Sequence, residues 1–192
     1  LHDFGLWVEQ MIAESLGKDS KGIIPIANEP FADPAHYGSD RVFVYIRLVG
    51  DNNSQTDEHV EALLNNGKPL IQLSMSDMNQ LGGEMFRWGF ATIIAGYLLM
   101  VNPFDQPNVQ QAKDFTVEVL NTLSTDGEVD DIEVSNSLDS LLLNIEPGKY
   151  FALLVYLPQS PELDTVLRRI RSSLLRRKHI ATTAGYGPRY LH

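Results

Sequence analysis

The sequence predicts an α/β fold: a three-layer, doubly wound domain built around a mainly parallel sheet. Three observations predict it. Runs rich in β-branched and aromatic residues alternate with stretches of helical period. One run, YFALLVYL at 150–157, is nearly all apolar, as expected of a strand covered on both faces. The chain has 192 residues, 43% of them apolar and 21% charged, enough for one substantial core in one domain. In such sheets ligands sit at the carboxyl ends of strands, near the point where strand order reverses.

Each element has its own warrant. In residues 3–16, Phe4, Trp7, Val8, Met11, Ile12 and Leu16 recur near the helical period, and Gly17 suits a stop. The stretch 17–40 is rich in glycine, proline and small polar residues around one short apolar run. It reads as a long ordered loop, and loops of that length in compact domains are often functional. RVFVYIRLV (41–49) reads as a strand, TDEHVEALLNNGK (56–68) as a helix opened by Thr56 or Asp57 and ended by Gly67, and PLIQLSM (69–75) as a second strand. A long helix follows at roughly 78–101, then another at 107–124 with Pro107 in its first turn. The acidic stretch 125–137 is a polar excursion, and 138–145 is helical. After the strand at 150–157, Ser160 caps a helix over 160–178 with Pro161 at its first position, and 179–185 forms a last short strand.

Composition excludes several functions. The sequence has no cysteine, so disulfides, thiolate nucleophiles and cysteine-bound metals are ruled out, which fits a reducing compartment such as the cytoplasm. A net charge of −10 argues against a broad nucleic-acid surface. The one basic run, RRIRSSLLRRK (168–178), reads as arginines spread around a solvated helix face. The opening stretch is amphipathic and acidic, unlike a signal or transit peptide. MFRWGFATIIAGYLLMV (85–101) holds Arg87 and two glycines and falls short of the ~20 apolar residues of a membrane span, so it reads as a buried core helix. The sequence lacks a P-loop, GxGxxG, HExxH or GxSxG, and no two histidines are spaced like a metal pair.

NPFDQPNVQQAK (102–113) is the most informative stretch. Pro103 stops the preceding helix, and Asp105 can accept from the free amides of the next helix's first turn. Architecture accounts for Asn102, Pro103, Asp105 and Pro107. It leaves Gln106 and Lys113 unexplained, the latter almost two turns into the helix.

This stretch resembles the NPFDQPxVxxxK signature of phosphoglucose isomerases, especially the short bacterial form and the form fused behind a transaldolase. ESLGK (14–18) resembles the family's ESxGK element and NEP (28–30) its GEP element. YGSDRVFVYIRL, GGEMFRWGFATIIAG, LLVYLPQSPEL and ATTAGYGPRYLH resemble further stretches of the fused form, in the same order. The resemblance runs over nearly all 192 residues. It implies a sugar-isomerase fold of two doubly wound subdomains with substrate between them. The whole chain, 1–192, would be the second, C-terminal subdomain of a longer chain.

The resemblance also implies a reaction, the interconversion of glucose 6-phosphate and fructose 6-phosphate through a cis-enediol. That reaction calls for no metal and no redox cofactor. It needs a carboxylate base near the carbon acid and a donor or cation near the ring and carbonyl oxygens. Position by position, Glu29 matches the catalytic glutamate, Lys113 the lysine near the ring oxygen, and Gln106 the glutamine that contacts substrate. Asn28 stands where the family has glycine, and Gly89 where it usually has glutamate. His36 and His59 lie only roughly where larger isomerases carry a ring-opening histidine. The Ser/Thr-rich phosphate loop and the arginine of the first subdomain are not in this sequence. The upstream subdomain is therefore the expected partner, and the piece alone is expected to be nearly inactive, since positioning supplies much of the barrier reduction. Two other readings compete: a non-catalytic sugar-phosphate-binding module of the same fold, and a scaffold that dimerises through the long apolar helix. The last predicts a large exposed apolar patch on that helix.

Overall fold

Two β–α–β units carry the structure. The computed structural model describes residues 2–105, 107–126, 137–143, 145 and 148–187. Gln106, most of the acidic excursion and the closing residues 188–192 lie outside them. The elements run α1 (His2–Leu16), β1 (Phe43–Leu48), α2 (Ser54–Asn65), β2 (Leu70–Met75), α3 (Leu81–Leu99), α4 (Pro107–Asp126), α5 (Leu138–Leu143), β3 (Tyr150–Val155), α6 (Pro161–Lys178) and β4 (Ala181–Tyr186).

β1 pairs with β2 in parallel, Phe43 opposite Leu70 and Leu48 opposite Met75. β3 pairs with β4 in parallel, Tyr150 opposite Ala181 and Val155 opposite Tyr186. Helices α2 and α6 supply the crossovers that parallel neighbours require. The α/β class and the parallel pairing match the sequence reading. A single sheet with helices on both faces does not: the described strands form two separate two-stranded sheets.

Local signals set the helix ends. Ser160 Oγ accepts from Leu163 N at 3.2 Å, with Pro161 in the first position. Gly67 takes a φ of +69° after α2, and Lys68 N donates to Leu63 O at 3.0 Å while Gly67 N donates to Leu64 O at 2.9 Å, a Schellman closure. α2 begins at Ser54, two residues before the expected start, because Asp57 is drawn to Tyr45 and Arg47 instead of serving as a cap.

The core gathers Ala32, Tyr37, Leu63 and Leu175, with Phe43 and Leu70 against them. It thus lies between the long 17–42 loop, α2, α6 and the start of the first sheet. Two burial expectations fail. The stretch 85–101 is not a buried core helix, since Phe86 is 77%, Tyr97 80% and Met100 79% exposed. β3 alternates between exposed and half-buried residues and is not covered on both faces. The causes differ: β3 lies in a two-stranded sheet, whereas α3 packs on α1 and leaves its other side to solvent among the described residues.

Candidate functional site

The loop that bears Glu29 starts with a tight reversal. Lys18 and Lys21 bridge antiparallel, with Asp19 and Ser20 at positive φ between them. The chain then runs without regular secondary structure to Asn28, whose φ is +52°. That left-handed position explains why the family has glycine there, and asparagine is among the few other residues that enter it readily. The substitution therefore leaves the backbone geometry in place.

Arg171, from the middle of α6, grips this bend. Its guanidinium donates to Asn28 O (3.0 Å), Ala27 O (3.1 Å), Thr182 O (2.7 Å) and Thr182 Oγ1 (3.2 Å). It is 5% exposed, so the expectation that the basic run lies wholly on a solvated face fails at this residue. The signal was legible: Leu167, Arg171 and Leu175 stand four apart on one stripe, and all three are buried. Burial pushes the Arg171 guanidinium below its ordinary range, while the charges of Glu29 and Glu9 push it back.

Glu29 is held on both oxygens. Oε1 accepts from Thr182 N at 2.9 Å and Thr182 Oγ1 at 3.3 Å, and Oε2 accepts from Arg41 Nη1. Its side chain is 11% exposed and that of Arg41 12%. Each carboxylate oxygen offers two lone pairs, so among these contacts Oε1 is used up and Oε2 keeps one lone pair. Thr182 is the second residue of β4, so the carboxylate is anchored at the amino end of that strand. The general rule for open α/β sheets points to the carboxyl ends. The difference follows from Arg171 and the Thr182 amide, which hold the loop where α6 hands over to β4.

Aromatic rings wall the same loop. Tyr37 Oη accepts from Ala32 N at 3.0 Å, and Arg41 lies over the Tyr37 ring, 5.3 Å from its centre. His59 stacks on Phe31 with ring centres 4.3 Å apart, and its Nε2 is 3.4 Å from Tyr37 Oη. Desolvation pulls the His59 imidazole below its ordinary pKa and, largest of its influences, raises the Tyr37 phenol. His36 stacks instead on His179, ring centres 5.4 Å apart. Of the two histidines, His59 is the one that stacks on Phe31, two residues after Glu29, while His36 of the same loop faces His179.

The turn after α3 is pinned twice. Met100 ends the helix at φ +56°, and Asn102 Oδ1 accepts from Phe104 N at 3.1 Å. The Pro103 ring packs so close to Gly96 that an added Cβ there would lie 3.2 Å from it. Lys18, which sequence reasoning left without a role, donates to Asn102 O (2.6 Å), Asp105 O and Asp105 Oδ1 (2.9 Å). Lys113 lies exposed on α4, and Gln106 falls outside the described residues. A single helix ties the two regions: Glu9 of α1 accepts from Ala27 N at 2.7 Å, and Lys18 follows the end of the same helix. Among the described residues no three metal-ligating side chains gather, and no helix is long and apolar enough to cross a membrane.

The probable glucose-6-phosphate isomerase of Methanococcus maripaludis is 28% identical to this chain, over 67% of it and 36% of the relative. The glucose-6-phosphate isomerase of Mesoplasma florum is 29% identical over 56% and 34%, and that of Lactobacillus helveticus 26% over 69% and 38%. This chain carries a phosphoglucose-isomerase-like domain. It spans about a third of the length of the curated relatives it matches. No family model and no solved structure gives a significant match. Among the described residues, the Glu29 loop and the 102–105 turn each carry several part-buried polar contacts on matched motifs.

Proposed function

We propose that this chain is the C-terminal sugar-isomerase subdomain of a cytoplasmic enzyme that interconverts glucose 6-phosphate and fructose 6-phosphate. The fused form, behind a transaldolase, is the one whose motifs it follows. The observation that carries the reading is the seating of Glu29. A loop carboxylate with no function is normally solvated, yet this one is mostly shielded from water, held by a backbone amide and an arginine, and among these contacts leaves one lone pair of Oε2 open.

In this reading the open lone pair of Oε2 takes the C2 proton of the ring-opened aldose and returns it at C1. Arg41 offsets the buried charge and fixes the oxygen's direction. Lys113 stabilises developing negative charge near the ring oxygen, and Gln106 orients the sugar. None of these residues recognises phosphate, so that task falls to the upstream subdomain.

The test is Glu29→Gln in the full polypeptide, assayed with glucose 6-phosphate. Removing a general base is expected to lower kcat about 10²- to 10⁴-fold with little change in KM. Isomerase turnover that survives the substitution would end the assignment of Glu29 as base. Retained sugar-phosphate binding by an unsubstituted polypeptide that shows no turnover would favour the binding-module reading.

The scaffold reading has an observation of its own. Phe86, Phe90, Tyr97, Leu98, Met100 and Phe104 leave a broad apolar face exposed along α3 and the turn after it. We read that face as the seat of further polypeptide of the same enzyme, because the matched relatives are about three times as long as the part they share with this chain.

A further inference from the structure

Lys18 is 5% exposed, two residues past the end of α1. Its ammonium has three donors, and the turn between α3 and α4 supplies three acceptors: the carbonyls of Asn102 and Asp105 and the carboxylate of Asp105. An apolar side chain would fill such a site at lower desolvation cost. The three donors of an ammonium can draw two carbonyls and a carboxylate to one point, which no apolar side chain can do. α4 has no extended packing against any other described element, so its course is set where it starts. The other end of α1 is equally committed: Glu9 Oε2 accepts from Ala27 N, two residues before Glu29, and from Thr183 Oγ1 at 3.4 Å.

We propose that Lys18 is a positioning residue that latches the 102–105 turn to α1. It thereby fixes the start of α4, and with it Lys113, against the Glu29 loop held by the same helix. α1 acts as a strut whose two fixing points, Glu9 and Lys18, lie roughly 10–13 Å apart at ~1.5 Å per residue. The catalytic consequence rests on the isomerase reading above. The latch itself does not.

The test uses Lys18→Met and Asp105→Ala in the full polypeptide, with amide exchange and steady-state kinetics as readouts. Lys18→Met is expected to accelerate exchange in the 102–105 turn while β3 and β4 exchange as before. It is also expected to lower kcat about 10- to 100-fold, the scale of an ångström-sized misplacement. Asp105→Ala removes one exposed acceptor, carries little folding risk, and is expected to show the same effects in smaller measure. Combining Lys18→Met with Lys113→Ala is expected to cost no more than Lys113→Ala alone, because the latch acts through Lys113. Unchanged exchange at the turn in both single variants overturns the latch. Losses that multiply in the double variant, with the fold intact, overturn the positioning role. Absence of turnover in the unsubstituted polypeptide overturns the isomerase reading and the positioning of Lys113 for catalysis with it, while faster exchange in Lys18→Met would still establish the latch.

Discussion

Asn28 shows how one residue's backbone can preserve a motif whose side chain has changed. Its φ of +52° is a conformation that costs most L-residues about 1–2 kcal/mol. Arg171 fixes the bend by taking the carbonyl oxygens on either side of the peptide bond that enters it, those of Ala27 and Asn28. Asn28→Gly is therefore expected to leave thermal stability nearly unchanged, and Asn28→Val to lower it by roughly 2 kcal/mol, since β-branched residues are the least tolerant of positive φ. Denaturant midpoints of the two variants check this. Equal loss in both would mean that the asparagine side chain, not the backbone, holds the bend. At this scale the sequence was partly legible. Glu29 and Asn28 stood out through the matched motif, and Arg171 was readable from its place between Leu167 and Leu175. Arg41 and Thr182 were not, because their importance comes from contacts 12 and 153 residues away from Glu29 in sequence.

The two β–α–β elements share a device. In the first, Tyr45 of β1 donates to Asp57 in the first turn of α2 at 2.7 Å. In the second, Tyr186 of β4 donates to Asp164 in the first turn of α6 at 2.6 Å. Each phenol ties a strand to the amino end of a crossover helix, where a carboxylate is also favoured by the helix dipole. Tyr45 is pushed up to about 12, first by desolvation and then by Asp57. Tyr186 is also pushed up to about 12, first by its hydrogen bond to Asp164. Both folded values lie above the ordinary value of 10.0, so the folded state holds these protons more tightly. The stabilisation is complete below pH about 10 and is lost as pH rises through about 12. Tyrosinate absorbance should show Tyr45 and Tyr186 titrating late, alongside the raised Tyr37, and Tyr45→Phe with Tyr186→Phe should flatten the alkaline loss of stability. Ordinary titration of all tyrosines near pH 10 would contradict it. The elements were the most legible level. Ser160, Pro161, Gly67 and the β-branched runs act through their own neighbours, and the strand and helix positions followed from them within a few residues.

At the level of the whole molecule, the described fold is under-covered. Phe86, Tyr97 and Leu98 of α3 stand largely exposed, a contiguous apolar surface of a kind that monomers seldom leave to water. The isolated chain is therefore expected to bind hydrophobic dyes strongly, to self-associate in a concentration-dependent way, and to give almost no isomerase turnover. Replacing Phe86, Tyr97 and Leu98 of α3 together by polar residues should suppress the association. Sedimentation and a coupled glucose 6-phosphate assay on the same sample check this. A stable monomer that turns over substrate at an ordinary rate would refute it.

The sequence by itself determined the element order, the helix caps, the parallel pairing implied by alternating strands and helices, and the motif likeness to the isomerases. Those features depend on residues within a few positions of one another, or on a string matched in order. The tertiary structure alone decided that Glu29 meets Arg41 and Thr182, that Lys18 closes on the 102–105 turn, and that the long apolar helix faces solvent. Apolar period tells which face of a helix seeks burial, but whether that face is covered depends on what else is folded beside it. A buried charge likewise finds its partner through the path of the chain in space, which no local spacing records.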